Sequence, residues 1–420
     1  MASGEDLANG FIQPIEDAQI VLQAARAPEP TTPRHLREKE DLLARLKKDS
    51  KKWTTNHPRH RLLDALYGYT KYPERYDEEI SRLKGLYDKI SDAQRALLEK
   101  HTQYTDKFTR VTDLLKSNQE LCDRIVDNAL EFYHIGREEL ETHMKHMEQD
   151  GKKADRVSVS QSLKHMVRDW TEDGGKYERD GCFACVLKTL DTLYPRQDAD
   201  HPVKVLLPGA GLGRMGRDIA QQGGFEVTIN EWSMFMNVAY RFLETHAHIA
   251  RNEMVHPFID SWSHHARTSD MMRPMSFPDQ PLNASDVLLV EGDFTTVFNS
   301  ARPKPQFDVI VTYFFIDTAR NLMGYLDTIQ TYLKPGGHWI NLGPLLYGTA
   351  PFVQLSLEDI VAVAEKGLAF EFLDVAGSEC GEITLEGKKV RGMEAAYGFN
   401  DRALTKNAYQ AQFWVAQKRE

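Results

Sequence analysis

Three carboxylates and one glycine turn in the second half of the chain have the residue types and spacing to do chemistry. The segment LLPGAGLGR, residues 206–214, links an apolar run to a helical pattern. Gly209 and Gly211 let the backbone turn sharply and approach a ligand more closely than a side chain would allow. In open α/β sheets, such a turn at the carboxyl end of a strand is where nucleotides bind. Glu231, in INEWS, ends the next apolar run, where a carboxylate accepts from both hydroxyls of a ribose. Asp293, in EGDF, ends the third, where it accepts from an adenine amino group while Phe294 covers the ring. Arg214 stands where the dinucleotide fingerprint has its third glycine. An acid after the second run, then an acid plus an aromatic after the third, favour S-adenosylmethionine over NAD. Each acid alone also reads as a helix cap; the three features in order make the selection. Asp317, in YFFIDTARN, closes the fourth run, where the reacting group lies in sheets of this class. It suits a basic acceptor, and its plainer reading is a cap for a helix beginning near Asn321.

These residues need strands to hold them. Strand candidates span 203–207, 225–230, 286–292, 307–314, 338–343, 369–375 and 412–417, with helical segments between most of them. Alternating strands and helices imply a mostly parallel sheet with helices on both faces. The last two strands follow one another without a clear helix, which suits an antiparallel hairpin at the sheet edge. The fold class is therefore α/β, a Rossmann-like class I methyltransferase sheet with an antiparallel edge hairpin and a helical N-terminal region. Gly336 and Gly337 supply the turn ahead of the fifth strand, and His338 reads as structural.

Upstream, residues 37–156 show apolar positions at three- and four-residue steps, as in Leu62, Leu63, Leu66 and Tyr67, or Leu114, Leu115, Leu121, Ile125 and Leu130. A further helix over 157–170 has Ser158 and Ser160 as candidate caps. Pro28, Pro30 and Pro33 break the polar start of the chain. The expected organisation is a flexible tail over 1–36, a helical region over 37–156, and a methyltransferase domain over 157–420. The latter carries a long insertion at 248–281 suited to a lid.

Composition narrows the partners. The chain has 420 residues, 41% of them hydrophobic, and no apolar run approaches the ~18 residues of a membrane span. A net charge of −10 argues against nucleic acid, since phosphate binding needs a basic face. Lys47, Lys48, Lys51 and Lys52 read as a solvated helix surface. The acidic start lacks the marks of a secretory or transit peptide, so the expected location is cytoplasmic, with the nucleus also compatible. Cys182 and Cys185 form a CxxC with no second pair at metal spacing, and four cysteines make a poor disulfide framework, so buried thiols and no metal are expected.

The segments LKHMVRDW, PGAGLGR, NEWSMFMN, RPMSFPD, GDF, YFFIDTARN, KPGGHWINLGPLLY and Tyr409 ahead of FWVAQK resemble the carnosine N-methyltransferase family, from about Val157 to the end. The resemblance implies methylation of an imidazole nitrogen in a histidine-containing dipeptide, giving anserine from carnosine. It implies a cofactor site lined by Arg168, Gly209, Glu231, Asp293, Phe294 and Tyr313, with His165 and Gly211 beside them. Arg168 would hold the methionine carboxylate. Asp317 and Tyr409 would contact the substrate, Asp317 as the catalytic acceptor of the imidazole N–H. Gly348 stands where the family typically has a substrate-contacting His, and His165 where it usually has Gln. The implied partner is a small imidazole dipeptide, and a homodimer is compatible. Two other readings stay open: a methyltransferase for another imidazole compound or a peptide histidine, and a non-catalytic S-adenosylmethionine-binding scaffold.

Overall fold

Apolar periodicity builds the first half of the chain from helices. A computed structural model describes residues 26–48, 53–195, 198, 200–299, 305–348, 350–375 and 377–420. The first 25 residues of the expected tail, and Lys51 and Lys52, lie outside them. Helices α1 (Pro33–Arg45), α2 (Pro58–Thr70), α3 (Tyr72–Tyr87), α4 (Asp92–Thr102), α5 (Tyr104–Phe132) and α6 (Arg137–Gln149) are followed by α7 (Arg156–Trp170) and α8 (Glu172–Leu193). Pro33 opens a helix instead of breaking one, because the first helical position needs no N–H donor. The cap of α7 is Asp155, not Ser158 or Ser160. Its carboxylate accepts the Ser158 N–H at 3.0 Å. Leu62, Leu63 and Leu66 of α2 and Leu115, Leu121 and Ile125 of α5 are buried, as their spacing predicts.

The second half alternates: β1 (Val203–Pro208), α9 (Arg214–Gln221), β2 (Phe225–Glu231) and α10 (Met234–His246). The insertion forms β3 (Glu253–Val255), α11 (Thr268–Met272) and β4 (Met275–Phe277). Then come β5 (Val287–Glu291), α12 (Phe294–Val297), β6 (Phe307–Tyr313), α13 (Leu322–Tyr332), β7 (Leu333–Gly343), α14 (Leu357–Gly367), β8 (Phe370–Leu373), β9 (Glu382–Ile383), β10 (Arg391–Ala396) and β11 (Ala408–Lys418).

The main sheet runs β5-β2-β1-β6-β7-β11-β10-β9, with β8 also paired to β11. Its first five strands are parallel, in registers such as Val205↔Val227 and Ile310↔Trp339. β11 reverses direction, setting Trp414 opposite Asn341. The last two predicted strands do pair antiparallel, Val415 with Leu373. β11 is not an edge, however: β8 and β10 share its far side. β10, RGMEAA, went unread because it has no β-branched or aromatic residue. The predicted turn at Gly336 is absorbed into β7, where Gly336 has φ +74° and the register with β6 shifts.

Strand side chains alternate between faces, and the core divides accordingly. Val205 and Leu207 of β1 join one apolar cluster, which reaches Leu42 of α1 and Trp170 of α7, while Leu206 joins another with Trp339, Trp414 and Ile360. The N-terminal helices therefore pack on one face of the sheet, and α13 and α14 on the other. The insertion is folded on itself, with Met254 opposite Ser276 and with Met271 and Phe277 buried. It is tied to the loop between β10 and β11 by the Leu404 N–H, which donates to the His264 carbonyl at 2.8 Å.

The cysteines differ from expectation. Cys185 is disulfide-bonded to Cys380, 195 residues away, while Cys182 and Cys122 are buried thiols. Spacing within the CxxC carries no sign of a partner that only the fold brings near.

Candidate active site

Three segments converge at the carboxyl ends of β1, β2 and β6. The first is the glycine turn. Gly209 (φ +66°) and Gly211 (φ +58°) occupy backbone conformations that L side chains rarely adopt. At Gly209 the space is also taken, since a Cβ would sit 2.3 Å from the Phe315 ring. The second is Glu231, at the end of β2. Its two oxygens accept the Gly211 N–H at 2.9 Å and the Ser233 N–H at 2.8 Å. Burial raises its pKa, against the pull of those N–H groups and of Arg61. A carboxylate has about four lone-pair positions, so Glu231 keeps acceptor capacity for ribose hydroxyls.

The third segment is the last turn of α7, which clamps the glycine turn from above. Asp169 accepts the Leu212 N–H at 3.2 Å, and the Trp170 indole donates to the Leu212 carbonyl at 2.9 Å. Arg168 Nε donates to Asp169 at 2.8 Å, and its guanidinium lies over the rings of Tyr397 and Phe399 at 5.3 and 5.5 Å. Burial alone would raise the Asp169 pKa, but Arg168 and His165 outweigh it and hold the carboxyl well below the usual range. Burial, with Arg168 beside it, lowers the His165 pKa against the pull of Asp169. Its Nδ1 is buried without a hydrogen-bond partner.

His165, Arg168, Gly209, Gly211, Glu231 and Tyr313 line one cavity of about 190 Å³, together with Phe314 and Tyr397. Phe314 and Tyr397 stack at 5.1 Å, and Tyr409 stands 5.9 Å from Phe314 and 5.8 Å from Tyr397. Tyr409 thus joins an aromatic wall on the antiparallel side of the sheet. Tyr397, Phe399 and Phe314 carry no sign of this role in the sequence, because aromatics without periodicity give none, and that of Asp169 depends on its contact with Leu212.

Asp293 lies apart, on a neighbouring cavity of about 500 Å³ with Tyr325 and Arg320. It also caps α12, accepting the Thr296 N–H at 3.0 Å. Phe294 is buried in contact with Phe315 and Tyr325, not on the wall of either cavity. Asp317 does not cap a helix: Asn321 caps α13, and Asp317 sits in a single 3-10 turn, Ile316–Thr318. Asp317 is 5% exposed, and its carboxylate accepts the Leu346 N–H at 3.0 Å. That bond draws in the loop bearing Gly348, which is itself exposed with nothing within 4 Å of an added Cβ. Burial pushes the Asp317 carboxyl up to about 6.

A glycine turn after β1, an acid at the end of β2 and an acid after β5, on a sheet whose β11 runs antiparallel to β7, define an S-adenosylmethionine-dependent methyltransferase. The free acceptor positions of Glu231, the Arg168 guanidinium and the unpartnered His165 nitrogen fit that cofactor's ribose and amino-acid groups. Residues 145–420 match the family described as carnosine N-methyltransferase. The carnosine N-methyltransferase of Mus musculus is 30% identical over 364 residues, covering 84% of this chain and 85% of the relative. That of Schizosaccharomyces pombe is 29% identical over 376 residues, covering 84% and 94%. A solved structure of a putative S-adenosyl-L-methionine-dependent methyltransferase from Methanococcus maripaludis aligns with a TM-score of 0.34 at 12% identity, over 64% of this chain and 96% of that one. The chain belongs to the carnosine N-methyltransferase family. No helix among the described residues is long and apolar enough to cross a membrane.

Proposed function

We propose that the enzyme methylates an imidazole nitrogen of carnosine or a closely related histidine-containing dipeptide. The observation that carries this reading is Asp317. It is a buried carboxylate with no cationic partner among the described residues, held by backbone N–H groups alone. Buried charges are ordinarily paired, and a basic heteroaromatic substrate supplies the missing partner. The names of the family and of its mouse and yeast relatives support the same substrate class.

S-adenosylmethionine, when bound, supplies a methyl group on a positively charged sulfur. The protein's part is to align donor and acceptor and to exclude water. Glu231 would accept from the ribose hydroxyls, Asp293 from the adenine amine, and Arg168 would hold the amino-acid carboxylate. Gly209 and Gly211 would admit the cofactor against the backbone, with His165 and Tyr313 beside it, while Phe294 packs against Phe315. An attacking imidazole nitrogen must be unprotonated, which is the majority form above the usual pKa near 6.5. Asp317 accepts a hydrogen bond from the other ring N–H. This fixes the tautomer and stabilises the imidazolium that forms. Tyr409, with Phe314 and Tyr397, offers the ring an aromatic face, and Gly348 presents no side chain two residues beyond the Leu346 that binds Asp317.

Carnosine and isotopically labelled cofactor, incubated with the full chain and analysed by mass spectrometry, test the proposal. The expected product is carnosine bearing one methyl on the imidazole. Methylation of another imidazole compound, with carnosine inert under the same conditions, would overturn it.

A further inference from the structure

The helical N-terminal region holds a cluster that the methyl-transfer chemistry does not use. His60 and Asp64 lie one turn apart on the same face of α2, and His143 projects to meet them from α6. His60 Nδ1 is 3.1 Å from one oxygen of Asp64, and His143 Nε2 is 2.7 Å from the other. The two rings meet edge to face at 4.8 Å. All three potential donor atoms lie within 4.8 Å of one another. We propose that this is a binding site for a zinc-class divalent transition metal, joining α2 to α6.

Several observations point the same way. Two imidazoles and one carboxylate form the donor set that zinc and its neighbours prefer, with a fourth position left to water or another side chain. Donor atoms around a tetrahedral ion at 2.0–2.1 Å stand roughly 3.3 Å apart, so separations of up to 4.8 Å need adjustments of at most about 1.5 Å. Two of the ligands are already fixed by a shared helix face. The third is fixed by the bidentate pair of Arg59 with Glu139, at 2.8 and 2.6 Å, which clamps α2 to α6 one turn from His143. His143 and His60 are largely buried, so a bound ion is shielded, while a cavity of about 900 Å³ gives access. His146, one turn beyond His143, lines that cavity and is a candidate for a fourth ligand. Among the described residues the ion-pair partners of Asp64 are these two imidazoles.

The site also has a path to the cofactor region. Arg61, next to His60, donates to the Trp232 carbonyl and lies 3.8 Å from that ring's centroid. Trp232 directly follows Glu231. Metal at His60 would therefore steady the residue that bridges α2 to the cofactor strand.

The test uses the full chain, stripped with a chelator and dialysed. Titration with zinc chloride by calorimetry should give one equivalent per chain at sub-micromolar affinity, and zinc should raise the melting temperature. H143A and D64A should each weaken zinc binding by more than tenfold and abolish the thermal shift. H201A, which removes an exposed histidine paired with Asp198, should change neither. Each variant is first checked for a wild-type circular dichroism spectrum, and H143Q replaces any that fails. Absence of saturable binding by wild type at micromolar zinc, or equal binding by wild type, D64A and H143Q, would overturn the proposal. Loss of thermal stability in H143Q without any zinc binding by wild type would also overturn it, leaving a hydrogen-bonded brace between the helices.

Discussion

Replacing Asp317 with Asn should make the protein more stable and much less active. In the folded chain the carboxyl rises from 3.8 to about 6 because it is buried. At 1.36 kcal/mol for each tenfold step, the ionised form costs the fold about 3 kcal/mol at neutral pH. The sign follows from proton binding. Below about pH 4 the group is protonated in both folded and unfolded chains, and the cost is absent. Between about 4 and 6 the folded chain binds the extra proton, so stability falls as pH rises, and above 6 the cost is complete. Asn keeps an oxygen for the Leu346 N–H and carries no charge. With an unfolding entropy of about 2.1 cal/mol/K per residue, 3 kcal/mol on a chain of this length is about 3 °C in melting temperature. The measurement is the thermal denaturation of wild type and D317N at pH 7.5 and pH 4.5. D317N should melt about 3 °C higher at pH 7.5, with the gap narrowing to about 1 °C at pH 4.5, and its turnover of carnosine should fall on the order of a hundredfold. A variant that melts at or below wild type at pH 7.5, or gains equally at both pH values, would refute the reasoning.

Two further substitutions probe the cofactor clamp and the acceptor side. R168K keeps the charge but loses the planar guanidinium that lies over Tyr397 and Phe399 and pairs with Asp169, so cofactor Kd measured by calorimetry should rise about tenfold or more. G348H should leave the melting temperature unchanged, because nothing lies within 4 Å of an added Cβ, and should lower KM for carnosine in steady-state assays.

The glycine turn, Glu231 and Asp293 were legible because each sits at the end of an apolar run, where strand period and turn chemistry agree. Arg168 is legible through the family resemblance, whereas Asp169 and Trp170, in the same LKHMVRDW segment, carry no local sign of their part in the clamp. Their roles depend on how α7 meets Leu212, which no local pattern records. The aromatic wall was hidden for a similar reason. Tyr397 reaches Phe314 only through the antiparallel register of β10 on β11, and β10 itself lacks the residues that mark a strand. The cluster of His60, Asp64 and His143 shows the limit from the other side. Its first two members carry helical spacing, but the third arrives from a separate helix.

The bond between Cys185 and Cys380 gives the molecule an unusual connectivity. It closes the intervening chain into a covalent ring that contains Gly209, Glu231, Asp293 and Asp317. His165 and Arg168 belong to one arm leaving that ring, and Tyr397 and Tyr409 to the other. The two arms touch where Arg168 lies over Tyr397. A loop of this size restricts the unfolded chain by about 5 kcal/mol on entropic grounds. A single proteolytic cut within the ring leaves one covalent molecule, whereas a cut in either arm can detach one jaw of the cofactor cavity from a ring that stays closed.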